Sequence, residues 1–266
     1  SSGYEPHYAK DILSNRYGDC KDHTVLLEAL LLAAGIQSTP ALINLSDTYF
    51  LQEGAGTNFD HVITYVPSLD LYLDSTAQFS DFGTLSPSAQ GKPTVHLASG
   101  ETNHTPYSNS DKDFTITKSK MTLHPDGRIV GESIYKTHGS FISGSRSAQY
   151  ENEDQENQSV VDTVLAKHQE SGTGLIKHGN PTDLSKPWFV TSTFDLDPVI
   201  NLPGPSALSI PTGLAPGFIK ALAKERKVPN RRFPYVCGSE KHTEIVELTF
   251  PDNVEVTKIP SSMTIN

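Results

Sequence analysis

The chain has 266 residues, of which 36% are hydrophobic and 20% charged, with a formal charge of -10 and a pI near 5.4. At roughly 150 residues per domain the length suggests about two domains, and the acidity argues against a nucleic-acid partner and against an anionic membrane surface. The longest apolar run, Val25 to Ala34, is broken by Glu28 and falls well short of the roughly 18 residues that span a bilayer.

Gly 19 and Pro 18, with many Ser and Thr, point to short strands and turns rather than a helical bundle. Two cysteines, Cys20 and Cys237, are too few for a disulfide framework, and a single bridge between them stays open. No signal-peptide pattern precedes the first helix.

In chain order, residues 4–17 read as a short helix, with Pro6 in its first turn and Tyr8, Ile12 and Leu13 on its apolar side. A stronger helix is predicted from Cys20 to Ala34. Asp19 suits its N-cap, Asp22 the returning acid of a capping box, and Gly35 its stop. Its interior is apolar nearly all round, so a central position is expected. The period then changes to two. Thr39 to Leu45, Phe59 to Val66 and Leu71 to Asp74 read as strands, the last two joined by a turn over Pro67-Ser68-Leu69-Asp70. Residues 46–58 read as a polar loop, and residues 77–111 as irregular connection.

Further on, Phe114 to Leu123 and Arg128 to Tyr135 form a predicted hairpin around Asp126-Gly127. Residues 148–170 suggest one polar helix with Val160, Val161, Val164 and Leu165 inward. Phe189 to Leu196 is a strand, Pro216 to Arg226 a short helix, and Thr243 to Phe250 with Val254 to Ile259 a last strand pair.

Three residues carry candidate chemistry. A thiol becomes a nucleophile when its pKa falls, and a helix N-terminus favours the thiolate through unpaired N–H groups. Cys20 falls in that first turn. With the turn centred on Ser68 and Leu69, position 61 pairs with position 76, which puts Asp74 on the diagonal from His61 and on the same face. A carboxylate there holds the imidazole while the other ring nitrogen faces the thiol. Each residue alone has a plainer reading. Cys20 fits a core gap, His61 a core-edge histidine bonded to backbone, and Asp74 a strand-end turn before Ser75 and Thr76. Their shared helix–sheet arrangement favours the chemical reading.

At these residues the chain resembles a known family. Arg16-Tyr17-Gly18-Asp19-Cys20-Lys21-Asp22-His23, followed by Leu26-Leu27, Leu30-Leu31 and Ala34-Gly35-Ile36, resembles the nucleophile segment of bacterial transglutaminase-like, papain-type proteins. Asn58-Phe59-Asp60-His61-Val62 resembles their histidine strand, and Leu71-Tyr72-Leu73-Asp74-Ser75-Thr76 their aspartate strand. The resemblance covers residues 4–90. It implies Cys20 as nucleophile, His61 as base and Asp74 as the group that orients the base, in a cysteine protease, amidase or acyltransferase acting on peptide or side-chain amides, with no cofactor and no metal. The implied partner is a peptide or protein substrate and the implied location is exported, periplasmic or cell envelope.

The expected fold is α+β. A transglutaminase-like core over 1–92, its Cys helix packed on an antiparallel sheet, is followed by a linker over 93–112 and a β-sandwich-like domain over 113–237. Strands over 238–266 pack on that domain or begin a further one. The later part resembles, more weakly, the β-rich domains that accompany such a core, through Asp126-Gly127, Gly139, Arg146, Ile210-Pro211 and Leu248 to Pro260. The family core implies more chain before its Cys helix than the 19 residues here, and no oxyanion side chain is assignable. A rival reading is an idle thiol site on a binding or scaffold protein whose β-rich part does the work.

Other features have bland readings. His23 lies three residues after Cys20, a spacing open to a metal, but no HExxH or CxxC accompanies it. Lys21 and Asp22 read as capping and local pairing. Asn44, Asn103 and Asn157 begin N-x-Ser/Thr sequons, which a Ser/Thr-rich chain produces by chance. Lys220, Lys224, Arg226, Lys227, Arg231 and Arg232 form a basic cluster that reads as a solvated helix face, with an acidic partner as the minor reading, and Glu151, Glu153, Asp154 and Glu156 suit helix first turns better than a calcium site. Cys237 and Trp188 read as structural.

Overall fold

The structure is a computed structural model that describes residues 5–46, 49, 51, 59–225, 239–262 and 264. The protein is mixed α+β, and the described residues form two five-stranded sheets and few helices. Among the described residues no helix is long and apolar enough to cross a membrane.

Helix α1 (Ala9–Asn15) is shorter than the expected 4–17, and Pro6 lies before it. Helix α2 (Cys20–Ala33) starts where the capping residues place it. Asp19 accepts from the N–H groups of Lys21 and Asp22, and the Asp22 carboxylate accepts the N–H of Asp19 in return. Gly35, at φ +77, ends the helix while the Ile36 N–H bonds the Leu31 carbonyl at 2.9 Å.

The first sheet is antiparallel, in the order β3-β2-β1-β4-β5. Its strands are β1 (Thr39–Ile43), β2 (His61–Val66), β3 (Leu71–Leu73), β4 (Pro93–His96) and β5 (Thr102–His104). A short 3-10 turn over Pro67–Leu69 and a left-handed Asp70 join β2 to β3, with Val66 opposite Leu71, Tyr65 opposite Tyr72 and Thr64 opposite Leu73. Carried down the ladder, this register sets position 61 opposite position 76. One face of the sheet buries Ala41, Ile43, Ile63 and Tyr72 under Leu85 and Ala89. Each large aliphatic side chain so buried contributes about 1.5–3 kcal/mol.

Two expectations for this part change. Residues 93–104, read as linker, form β4 and β5. Pro93 and Gly100 made the stretch look like connection, yet Pro93 opens an otherwise short strand and Gly100 turns the hairpin. Helix α2 lies on the sheet through β2 but is not central, since Leu30 is 57% and Leu32 60% exposed. The apolar residues were legible in sequence, but what covers them depends on the fold.

The second sheet runs β10-β6-β7-β9-β8. It contains β6 (Phe114–Leu123), β7 (Ile129–His138), β8 (Gly172–His178), β9 (Phe189–Leu196) and β10 (Lys241–Thr249). All pairs are antiparallel except β10, which lies parallel to β6. Helices α3 (Phe141–Glu151) and α4 (Asn157–Lys167) follow β7, and α5 (Phe218–Glu225) precedes β10. The core joins Met121, Leu123, Ile129, Phe194 and Leu196 of the strands to Val161 and Leu165 of α4.

A β-sandwich was expected for this region. Among the described residues the layer facing this sheet is helical, because α4 supplies the apolar side chains a second sheet would have brought. The single helix expected over 148–170 is two helices, divided around Glu153 and Asp154. Strand β8 escaped the sequence reading because its alternation is diluted by Gly172 and Gly174. Its edge backbone is capped by Asn157, whose side-chain amide donates to the Gly174 carbonyl at 2.7 Å and whose carbonyl accepts the Ile176 N–H at 3.1 Å. Residues 254–259, expected as a strand, form none. Arg146, 1% exposed, donates to the carbonyls of Asn180, Pro181, Asp183 and Lys186 and lies over the Trp188 ring at 4.8 Å. Trp188 is thus core packing of the second sheet's side of the molecule.

Candidate active site

Cys20 is the first residue of α2. It is half-buried and its thiol is free; Cys237, and with it the bridge left open above, lies outside the described residues. The first turn of α2 has few open donors. The Lys21 and Asp22 N–H groups go to the Asp19 carboxylate, and the His23 N–H goes to the Asp19 carbonyl at 2.9 Å. The N–H of Cys20 has no partner among the described residues. The Asp19 carboxylate also pairs with Lys21 Nζ at 2.7 Å, and Asp22 also accepts from the His7 N–H at 2.8 Å and contacts its ring nitrogen. Burial raises the Asp22 carboxyl, and the bonds from His7 and Asp19 outweigh it, leaving the group below its ordinary value. Lys21 and Asp22 are therefore committed to capping and pairing.

His61 and Asp74 meet as the register requires. The imidazole Nε2 lies 3.0 Å from Asp74 Oδ2, with side-chain exposures of 11% and 5%. The other carboxylate oxygen, Oδ1, accepts the Thr76 N–H at 3.0 Å and the Thr76 hydroxyl at 2.6 Å. Burial pushes Asp74 up, but the hydrogen bonds from His61 and Thr76 outweigh it and hold the carboxyl below its ordinary range. An ionised carboxylate only accepts hydrogen bonds. His61 therefore donates from Nε2, and in its neutral form the ring carries its lone pair on Nδ1, the nitrogen available to a thiol.

The helix and these strands are tied by polar contacts near each residue. Thr24, one turn after Cys20 and 2% exposed, donates its hydroxyl to the Cys20 carbonyl at 2.9 Å and approaches the carbonyl of Val62, next to His61, at 3.4 Å. His23 Nδ1 donates to the carbonyl of Ser75, next to Asp74, at 3.0 Å. The Cys20 sulfur itself makes no hydrogen bond to His61 among the described residues. The structure thus unites His61 with Asp74 and ties Thr24 and His23, which follow Cys20 in α2, to the backbone next to each of them.

Sequence reasoning missed three contributors, Thr76, Thr24 and His23. The Asp74-x-Thr76 pattern of an Asx turn was the available signal for Thr76. The contacts of Thr24 and His23 are long-range and leave no local signature. Among the described residues no cluster of His, Cys, Asp and Glu is arranged to hold a metal. A concavity of about 840 Å³ opens at the far end of β2 beside Tyr65, His96 and Glu101, away from the His61 end of the strand. Of the basic cluster, Lys220 pairs with Glu170 at 3.5 Å; Arg226, Lys227, Arg231 and Arg232 lie outside the described residues.

Comparison with known proteins adds no neighbour: no family model matches the chain, and neither a curated protein nor a solved structure matches it.

Proposed function

We propose that this protein is a transglutaminase-like cysteine enzyme that cleaves or transfers peptide or side-chain amides through a thioester on Cys20. The observation that carries the reading is the buried His61–Asp74 bond of 3.0 Å, which leaves Nδ1 as the basic nitrogen on the strand where the Cys20 helix docks. In this reading Nδ1 takes the thiol proton and the thiolate attacks the amide carbonyl. The free N–H of Cys20 stabilises the oxyanion. The imidazolium returns its proton to the departing amine as the C–N bond breaks, leaving a thioester. Water, deprotonated at Nδ1, then releases the acid, while an amine acceptor gives a new amide instead. Hydrolysis is the favoured outcome, by resemblance, as are an exported or cell-envelope location and a papain-like character for the first sheet and its helix.

Alkylation by iodoacetamide near neutral pH tests the reading. Fast modification of Cys20, lost in His61→Ala, is the expected result; equally slow labelling of Cys20 and Cys237 refutes it. One observation favours the second reading, a binding or scaffold protein with an idle site: the Cys20 sulfur has no hydrogen bond to the imidazole among the described residues. That reading predicts labelling indifferent to His61.

A further inference from the structure

We propose that His23 is a positioning residue of the thiol site, setting the Cys20 turn of α2 against the strand end that carries Asp74. The inference rests on the thiol-enzyme reading. A backbone carbonyl only accepts, so the 3.0 Å contact to Ser75 requires the proton on His23 Nδ1. Ser75 sits inside the hydrogen-bonded turn over residues 74–76. Its neighbour Thr76 holds Asp74 Oδ1 through both its N–H and its hydroxyl, and Asp74 Oδ2 holds His61. A continuous series of contacts therefore runs from the turn bearing Cys20, through His23 and residues 74–76, to the imidazole.

The competing tie is weaker. Thr24 has one hydroxyl proton, and its bond to Cys20 within the helix, at 2.9 Å, is far shorter than its 3.4 Å approach to Val62. Hydrogen bonds weaken steeply at such length. Packing constrains the helix little on its outer side, where Leu30 and Leu32 are mostly exposed. His23 is then the stronger polar link between α2 and the sheet near the site.

The test uses the full chain and four variants: His23→Ala, His23→Asn, His23→Gln and His61→Ala. The Asn side-chain nitrogen occupies the place of Nδ1 and donates as it does, whereas the Gln nitrogen lies one bond further out. The alkylation rate of Cys20 by iodoacetamide is followed by peptide mass from about pH 5 to about pH 9, beside the urea unfolding midpoint. A misplacement on the order of 1 Å costs up to about a hundredfold in rate. His23→Ala is expected to lower the rate at neutral pH about tenfold and to move the rate–pH midpoint upward, with His23→Asn restoring both and His23→Gln failing to. If His23→Ala lowers the unfolding midpoint but leaves the pH profile unchanged while His61→Ala abolishes it, His23 is merely structural and the proposal fails alone. Should His23→Ala not fold, equal profiles for His23→Asn and His23→Gln overturn it equally. If His61→Ala leaves wild-type reactivity untouched, there is no pair to position, and both the proposal and the thiol-enzyme reading fall.

Discussion

Replacing Asp74 by Asn changes one atom type and should invert the imidazole. Asp74 Oδ1 accepts two donors from Thr76, at 3.0 and 2.6 Å, while Oδ2 accepts one from His61 at 3.0 Å. The amide of Asn has one acceptor oxygen and one donor nitrogen. Each neutral hydrogen bond is worth about 1 kcal/mol, so two bonds to Thr76 outweigh one to His61 and the oxygen turns toward Thr76. The amide nitrogen then donates to Nε2, which forces the ring proton onto Nδ1 and removes the base. The charge that steadies an imidazolium is lost as well. An ordinary thiol, with pKa about 8.5, is only about 3% ionised at pH 7, so alkylation of Cys20 should fall by up to about thirtyfold. Amide turnover depends on both proton transfers and should fall further, by about four orders of magnitude, as in other triads that lose this carboxylate. Stopped-flow alkylation at neutral pH, with the urea midpoint as control for folding, measures the first effect. An Asp74→Asn protein that alkylates at the wild-type rate would refute the tautomer argument, and with it the assignment of Asp74.

Two further outcomes concern Arg146 and the ionisation of Asp74. Arg146→Ala removes a buried guanidinium that serves four carbonyls, so the loop over 180–186 loses its anchor; its Nε, unpaired among the described residues, reduces the net gain, leaving an expected loss of about 2–4 kcal/mol in urea unfolding. Trp188, the only tryptophan, lies under Arg146 and donates to Ser145, so its emission should shift red in the variant; an unshifted spectrum with a change under about 1 kcal/mol refutes the clamp. For Asp74 the native carboxyl sits below its unfolded value of about 4, so its stabilisation is complete above that pH and disappears as the pH falls through the lower native value. The difference in unfolding midpoint between wild type and Asp74→Asn should therefore shrink on acidification from about pH 7 to about pH 3, and a constant difference would contradict the sign.

Much of the candidate site was legible because it is written in local chemistry. Asp19 and Asp22 announce the start of α2, and so place Cys20 in its first turn. Pro67 to Asp70 announce a turn whose centre sets the β2–β3 ladder, and so bring Asp74 to His61 without any long-range information. Strands β6 and β9 matched their alternating patterns to the residue. Elements with diluted patterns did not declare themselves. Glycines hid β8, and Pro93 with short length hid β4 and β5 inside an expected linker.

What the amino-acid order determined by itself was where α2 and the β2–β3 and β6–β7 hairpins begin and which side chains share a strand face, because caps, turns and alternation act over a few residues. Only the tertiary structure decided that β10 pairs in parallel with β6, that α4 rather than a second sheet covers the core, that Leu30 and Leu32 of α2 face outward, and that His23 reaches Ser75. Those outcomes depend on which distant segments compete for the same apolar face or unpaired carbonyl, and a one-dimensional pattern records the demand for a partner without saying which one meets it.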